Sequence, residues 1–102
     1  MYGVVATVRA PVEMYDALHA EMNRRAGASL DGLLVHIGRA HPEGFEVLEV
    51  WESEEHFDRA NLEVVFPLMA EMAGDPPAPA PDQTTTTFDV RGLVIPAGGI
   101  VV

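Results

Sequence analysis

Two runs of strand-forming residues, Leu33–Arg39 and Phe45–Glu52, flank the short segment Ala40-His41-Pro42-Glu43-Gly44. A connection this short leaves only an antiparallel hairpin, because parallel strands need a crossover of roughly a dozen residues or more. A turn on Pro42-Glu43 sets the register. It places Ala40 opposite Phe45, Gly38 opposite Val47, His36 opposite Glu49 and Leu34 opposite Trp51. Side chains alternate along a strand, so these eight share one face. The other face carries Leu33, Val35, Ile37 and Arg39 with Glu46, Leu48, Val50 and Glu52. Its centre is aliphatic and reads as the plain core face. The first face holds a histidine and a carboxylate among aromatic residues. A one-residue slip would send that pair to opposite sides.

The rest of the chain supplies what such a hairpin needs. Tyr2–Arg9 is short and rich in Val and Thr and reads as a strand. Pro11 suits a first helical turn. Met14, Leu18 and Met22 then recur at helical spacing, with Tyr15 beside them, predicting a helix over Val12–Ala26. Arg24 and Arg25 lie in its last turn, where cations offset the helix dipole, and Gly27 ends it. A turn follows over Ser29–Gly32. Ser53 is a helix N-cap, followed by Glu54 and Glu55 in the favourable first turn. Phe57, Ala60, Val64 and Leu68 form the stripe of that second helix. Pro67 lacks a backbone donor and clashes with the preceding turn. This predicts a kink or break near Val65–Pro67 and a short continuation to Met72. Residues 74–83 carry Pro76, Pro77, Pro79 and Pro81 and read as an extended, polyproline-like connection. Thr84–Ile95 reads as a final strand, followed by an apolar, glycine-loosened tail.

The order β-α-β-β-α-β over a single domain, residues 1–102, is the ferredoxin-like arrangement, with both helices on one face of an antiparallel sheet. The other face is left without cover. Monomers avoid large bare apolar surfaces. Two sheets packed face to face remove the exposure, so the pattern implies a homodimer.

Composition removes several classes of partner. Six Lys and Arg stand against 16 Asp and Glu, a formal net charge of −10. Phosphate backbones and anionic membranes are bound by clustered cations, so neither nucleic acid nor a membrane is an expected partner. There is no cysteine, hence no disulfide and no thiolate metal site. No run of ~20 apolar residues is present, and Met1–Pro11 lacks the pattern of a signal peptide. A cytoplasmic location is the default expectation.

The chemistry-bearing feature is the His36–Glu49 pair. Directly opposed residues have Cβ atoms about 4.5–5.5 Å apart, within reach of an imidazole–carboxylate hydrogen bond. Such a partner fixes the tautomer and raises basicity, which is how a general base is built. The same pairing also arises as ordinary interfacial packing, and the residues alone leave both open. His41 precedes Pro42 at the turn and reads as exposed; His19 and His56 fall at helix positions expected to face solvent. No His, Asp and Glu spacing suggests a metal site. There is no nucleophile elbow and no glycine-rich phosphate loop. Met14, Met22, Met69 and Met72 read as core, although thioethers also line adaptable pockets.

The stretch Val47-Leu-Glu-Val-Trp-Glu-Ser-Glu-Glu-His-Phe-Asp-Arg-Ala60 resembles the dimeric α+β barrel superfamily, and more narrowly proteins of the antibiotic biosynthesis monooxygenase type abundant in actinobacteria. The Trp51-Glu52-Ser53 step into the second helix, followed by Phe57, is the shared mark, and the element order extends the match over nearly the whole chain. The resemblance implies a dimer whose two sheets form a barrel, with a pocket between each sheet and its helices. In the monooxygenase branch that pocket oxidises a polycyclic phenol or anthrone with O2, using no metal or flavin cofactor. The nearest supply of pocket groups here is Asn61, Trp51, Tyr15 and His36. The haem-degrading branch uses an asparagine on the first strand and a tryptophan and a histidine on the second helix. Thr7, Ala60 and Ala70 stand at those positions, which argues against that machinery.

Two functions follow. One is a cofactor-independent oxygenase acting on a small aromatic or polyketide-type substrate. His36 would be its base, Glu49 would orient the base, and Trp51, Phe45, Asn61, Tyr15 and Met72 would bind substrate. It predicts a closed pocket containing His36. The other is a non-catalytic homodimer that binds a small apolar ligand or a protein, its tail wrapping the neighbouring subunit.

Overall fold

In a computed structural model, which describes residues 1–26 and 30–101, the hairpin closes where the sequence places it. β2 (Leu33–His41) and β3 (Gly44–Trp51) are joined by Pro42 and Glu43, with His41 opposite Gly44 and His36 opposite Glu49. β1 (Tyr2–Val8) pairs antiparallel with the other edge of β3 and with β4 (Gln83–Asp89). The four-stranded order β2-β3-β1-β4 is ferredoxin-like. β1 leads into α1 (Val12–Ala26), and β3 leads into α2 (Glu54–Ala60), a π-helical turn (Asn61–Val65) and α3 (Phe66–Met72). The expected cap at Gly27 and the start of the turn at Ser29 lie outside the described residues. No helix among the described residues is long and apolar enough to cross a membrane.

The helices cover the face that carries His36 and Glu49. Val4 faces that side with Trp51 and Ala60 in the core, against which Tyr2, Leu30, Leu33 and Phe57 pack. Trp51 is 2 % exposed and meets the Phe57 ring edge-on at 5.8 Å. The aliphatic face, expected to be the core face, is the one without helices. Val5, Val35, Ile37, Leu48 and Phe88 alternate onto it, and Ile37 is 53 % exposed. Phe88 lies across Gly3, where a Cβ would come within 2.2 Å of its ring.

One pairing differs from expectation. Leu33, not Leu34, stands opposite Trp51, because a bulge falls between Leu33 and Val35. The extra residue turns Leu33 onto the helix-covered side, where it joins the Trp51 cluster. Bulges re-aim a side chain at the cost of one unpaired residue. Here the re-aimed side chain gains apolar burial. Beyond the bulge, the Glu52 N–H donates to the Gly32 carbonyl at 2.8 Å.

Ser53 caps α2, its hydroxyl accepting from the His56 N–H at 3.3 Å. Pro67 does not end the helical winding, although regular α-helix gives way to a wider turn just ahead of it. It sits in the first turn of α3, after a π-helical turn in which the Phe66 N–H reaches back to the Asn61 carbonyl. The wide turn absorbs the missing donor while backbone angles stay helical at Asn61, Val65 and Phe66. The final strand is shorter than expected. β4 stops at Asp89, Val90 donates to the Met1 carbonyl, and Gly92 follows. Val94–Ile95 (β5) instead pairs with Ile100–Val101 (β6) in a separate hairpin.

Gly44 shows why the turn tolerates no side chain. Its φ is +148°, and a Cβ there would lie 2.3 Å from the Val8 carbonyl oxygen. Gly44→Ala is expected to lower unfolding free energy by roughly 2 kcal/mol or more, from backbone strain plus the clash. Chemical denaturation measures this; unchanged stability would show that the turn relaxes freely.

Candidate functional site

Register brings His36 and Glu49 together, and α1 completes the group around them. His36 Nδ1 lies 2.7 Å from Glu49 Oε2. A carboxylate only accepts, so in the neutral imidazole Nδ1 carries the hydrogen and Nε2 presents a lone pair. The Tyr15 hydroxyl sits 2.9 Å from that Nε2 and is its donor. Glu49 is held from a second side, since the Trp51 indole N–H donates to its Oε1 at 3.3 Å. The result is a hydrogen-bonded chain from Trp51 through Glu49 and His36 to Tyr15. The His36 and Glu49 side chains keep 28 % and 18 % of their surface exposed.

Gly38 makes this geometry accessible. Tyr15 projects from α1 onto β2 above Gly38, where an added Cβ would come within 2.0 Å of the ring. Phe45 supports the ring from the sheet at 5.6 Å. His19, one helical turn after Tyr15, stacks on Tyr15 at 5.3 Å and on His36 at 5.6 Å. Its Nε2 meets the Asn23 side-chain amide at 3.2 Å. Burial, with Asp16 and Glu49 nearby, raises the Tyr15 phenol above its ordinary value, so it stays protonated as a donor. The folded state then holds this proton where the unfolded chain begins to release it. Any stability it contributes is present below about pH 10 and fades as pH climbs further.

Other expected site residues fall elsewhere. Trp51 and Phe45 are 2 % and 3 % exposed. They offer a ligand almost no surface and act on the site indirectly, through Glu49 and Tyr15. Asn61 opens the π-helical turn and makes no hydrogen bond to the His36 group among the described residues. Met72 is 43 % exposed and lines an apolar cavity of about 510 Å³. Met14, Ala17 and Leu18 of α1, Met69 and Met72 of α3, and the proline connection enclose it. Neither His36 nor Glu49 lines this cavity, contrary to the expected closed pocket around His36. Helical geometry is the reason: Tyr15 and His19 occupy one stripe of α1, and Met14 and Leu18 the adjoining one. Arg25 ties the two helices together, bonding Glu21 at 2.7 Å and Glu71 at 2.5 Å. Hydrogen bonds from Arg24 and Arg25 hold the Glu21 carboxyl down to about 2.

The remaining histidines serve turns. His41 Nδ1 accepts from the Glu43 N–H at 3.2 Å. His56, expected to face solvent, is half-buried against Gly32 and meets Ser53 Oγ at 2.6 Å. His19 is exposed, as expected, and its ring also joins the cluster; its spacing of four from Tyr15 was the available signal. Among the described residues no group of three His, Asp or Glu side chains comes together as a metal-ligand set.

The fold and element order are those of the antibiotic biosynthesis monooxygenase-like proteins. A candidate antibiotic biosynthesis monooxygenase from Deinococcus radiodurans is 18 % identical, with 93 % of this chain and 97 % of that chain aligned at a TM-score of 0.60. SnoaB, a cofactor-independent oxygenase from Streptomyces nogalater, is 17 % identical over 93 % and 94 % of the two chains, at a TM-score of 0.57. The haem-degrader MhuD from Mycobacterium tuberculosis is 21 % identical over 93 % and 99 %, at a TM-score of 0.56. No protein-family model and no curated protein sequence matches the chain. At these identities the superpositions show a shared fold and nothing finer.

Gly38→Ala is expected to push Tyr15 off β2, break its bond to His36 and cost about 1–3 kcal/mol through overpacking. Nitrogen NMR of His36 reads the change directly: Nε2 should lose its hydrogen-bonded acceptor signature while Nδ1 stays protonated. An unchanged Nε2 signal would refute the stated position of Tyr15.

Proposed function

We propose that this protein is a cofactor-independent monooxygenase-like enzyme acting on a small aromatic or polyketide-type phenol with O2. The observation that carries this reading is the hydrogen-bonded chain Glu49–His36–Tyr15, a general base with its orienting carboxylate. The shared fold with a cofactor-independent oxygenase supports it. His36 accepts the phenolic proton and Glu49 stabilises the imidazolium that forms. The resulting phenolate is electron-rich and reduces O2 far more readily than the phenol. An anthrone carries its own reducing equivalents: its methylene becomes a carbonyl, one oxygen atom stays in the product and the other leaves as water. His19 offers an aromatic substrate a stacking surface beside His36, while the chamber at Met72 lies along the adjoining stripe of α1. The positions Thr7, Ala60 and Ala70 carry none of the groups expected of a haem degrader.

The bare aliphatic face supports a homodimer. Ile37 and Phe88, 53 % and 40 % exposed, form the surface a second copy would cover.

The chamber favours a second reading. Its lining is Ala, Met, Leu and Pro throughout, with no polar side chain. A non-catalytic homodimer that holds a small apolar molecule needs nothing more.

Oxygen uptake with an anthrone separates the two. The oxygenase reading expects turnover that falls by about 10²–10⁴ in His36→Ala, the usual contribution of a general base. Equal rates in wild type and His36→Ala would remove the pair from the mechanism. No turnover across a panel of phenols, with an apolar dye still bound, would leave the second reading.

A further inference from the structure

The one lone pair that Glu49 leaves free on His36 is already taken. Nε2 receives the Tyr15 hydroxyl at 2.9 Å, so a substrate hydroxyl could reach it only by displacing Tyr15. The ring is not placed to leave. It fills the space over Gly38, stacks on His19 at 5.3 Å and leans on Phe45 at 5.6 Å. A phenolic oxygen that donates one hydrogen bond retains lone pairs to accept another.

We propose that Tyr15 is a catalytic residue, the substrate-facing end of a proton relay that delivers the substrate's proton to His36. The proposal rests on the base assigned above and changes which atom meets the substrate. The substrate O–H donates to Tyr15 Oη. As that proton transfers, the proton already on Tyr15 passes to His36 Nε2. One O–H bond breaks on the substrate and one forms on Tyr15, while one O–H bond breaks on Tyr15 and one N–H bond forms on His36. The products are a phenolate and an imidazolium, the latter facing the Glu49 carboxylate at 2.7 Å. Tyr15 ends as it began, a neutral phenol. Its raised affinity for the proton fits this role, since a relay that rested as tyrosinate would have nothing to pass on. Glu49 acts through His36 and is a positioning residue, and the Trp51 indole fixes Glu49 in turn.

The test separates proton transfer from oxygen chemistry. Ionisation of para-nitrophenol on the protein is followed by its phenolate absorbance, which needs no O2. Wild type is expected to ionise the bound probe at a pH about one unit or more below the free compound. Tyr15→Phe, which keeps the ring and its packing, is expected to lose that shift, with a fall of about tenfold or more in ionised fraction. Glu49→Gln should lose part of it. Site-specific replacement of Tyr15 by a ring-fluorinated, more acidic tyrosine should change the pH profile, which a purely structural ring would not. Ionisation in Tyr15→Phe equal to or greater than wild type would show that Tyr15 only blocks His36, and would overturn the relay. Absence of any shift in wild type would overturn it as well. Probe ionisation without oxygen uptake from any phenol would end the oxygenase reading and leave the relay standing. Oxygen uptake undiminished in Tyr15→Phe would do the reverse.

Discussion

The antiparallel register of β2 on β3 is the constraint on which the rest of the structure depends. A turn of Pro42 and Glu43, with Gly44 at φ +148°, fixes that register. From it follows which side chains lie under the helices. Shifted by one residue, His36 would leave the covered face and Glu49 would lose its partner. The bulge between Leu33 and Val35 is the one departure, and it falls beyond the site, toward the Trp51 end of the hairpin. The register around His36 is therefore undisturbed, while the strand end adjusts to fill the core.

The site is a convergence of two layers. The sheet supplies a base and its counter-charge, and α1 lays a phenol and a second imidazole over them. Gly38 joins the layers, because only a residue without a side chain lets a ring lie this close to the strand. The same packing explains why buried Trp51 and Phe45 matter without touching a ligand: one holds Glu49, the other supports Tyr15. The apolar chamber belongs to a different stripe of the same helix, so the polar and apolar parts of the molecule meet along α1.

Much of this was legible in the residues. Alternation and a tight turn predict the His36–Glu49 pairing, and apolar spacing with Pro11 predicts the bounds of α1. Ser53 announces its own cap. What the residues hide is what packing decides. Nothing in Leu33-Leu34 marks a bulge, which appears because the core gains a leucine. Pro67 announces a missing donor, but not the wide turn that precedes it. The rotation of α1 about its axis, which brings Tyr15 and His19 to His36, depends on Gly38, far away in sequence. The length of β4 is hidden as well, because Thr84–Ile95 is β-branched over most of its length while the ladder ends at Asp89.

The π-helical turn at Asn61–Val65 holds one residue more than a regular helical turn. A regular helix advances about 100° per residue, so winding the same chain regularly through this point would rotate α3 by about that amount relative to α2; taking the extra residue into a wide turn keeps the two in phase. Regular winding of the undiminished chain would swing Met69 and Met72 off the chamber wall while the sheet and the His36 cluster stayed as they are. The wide turn thus acts as a spacer: a one-residue change in the length of the second helix is taken up at Asn61–Val65, and the apolar lining keeps its place over the groups that handle the proton.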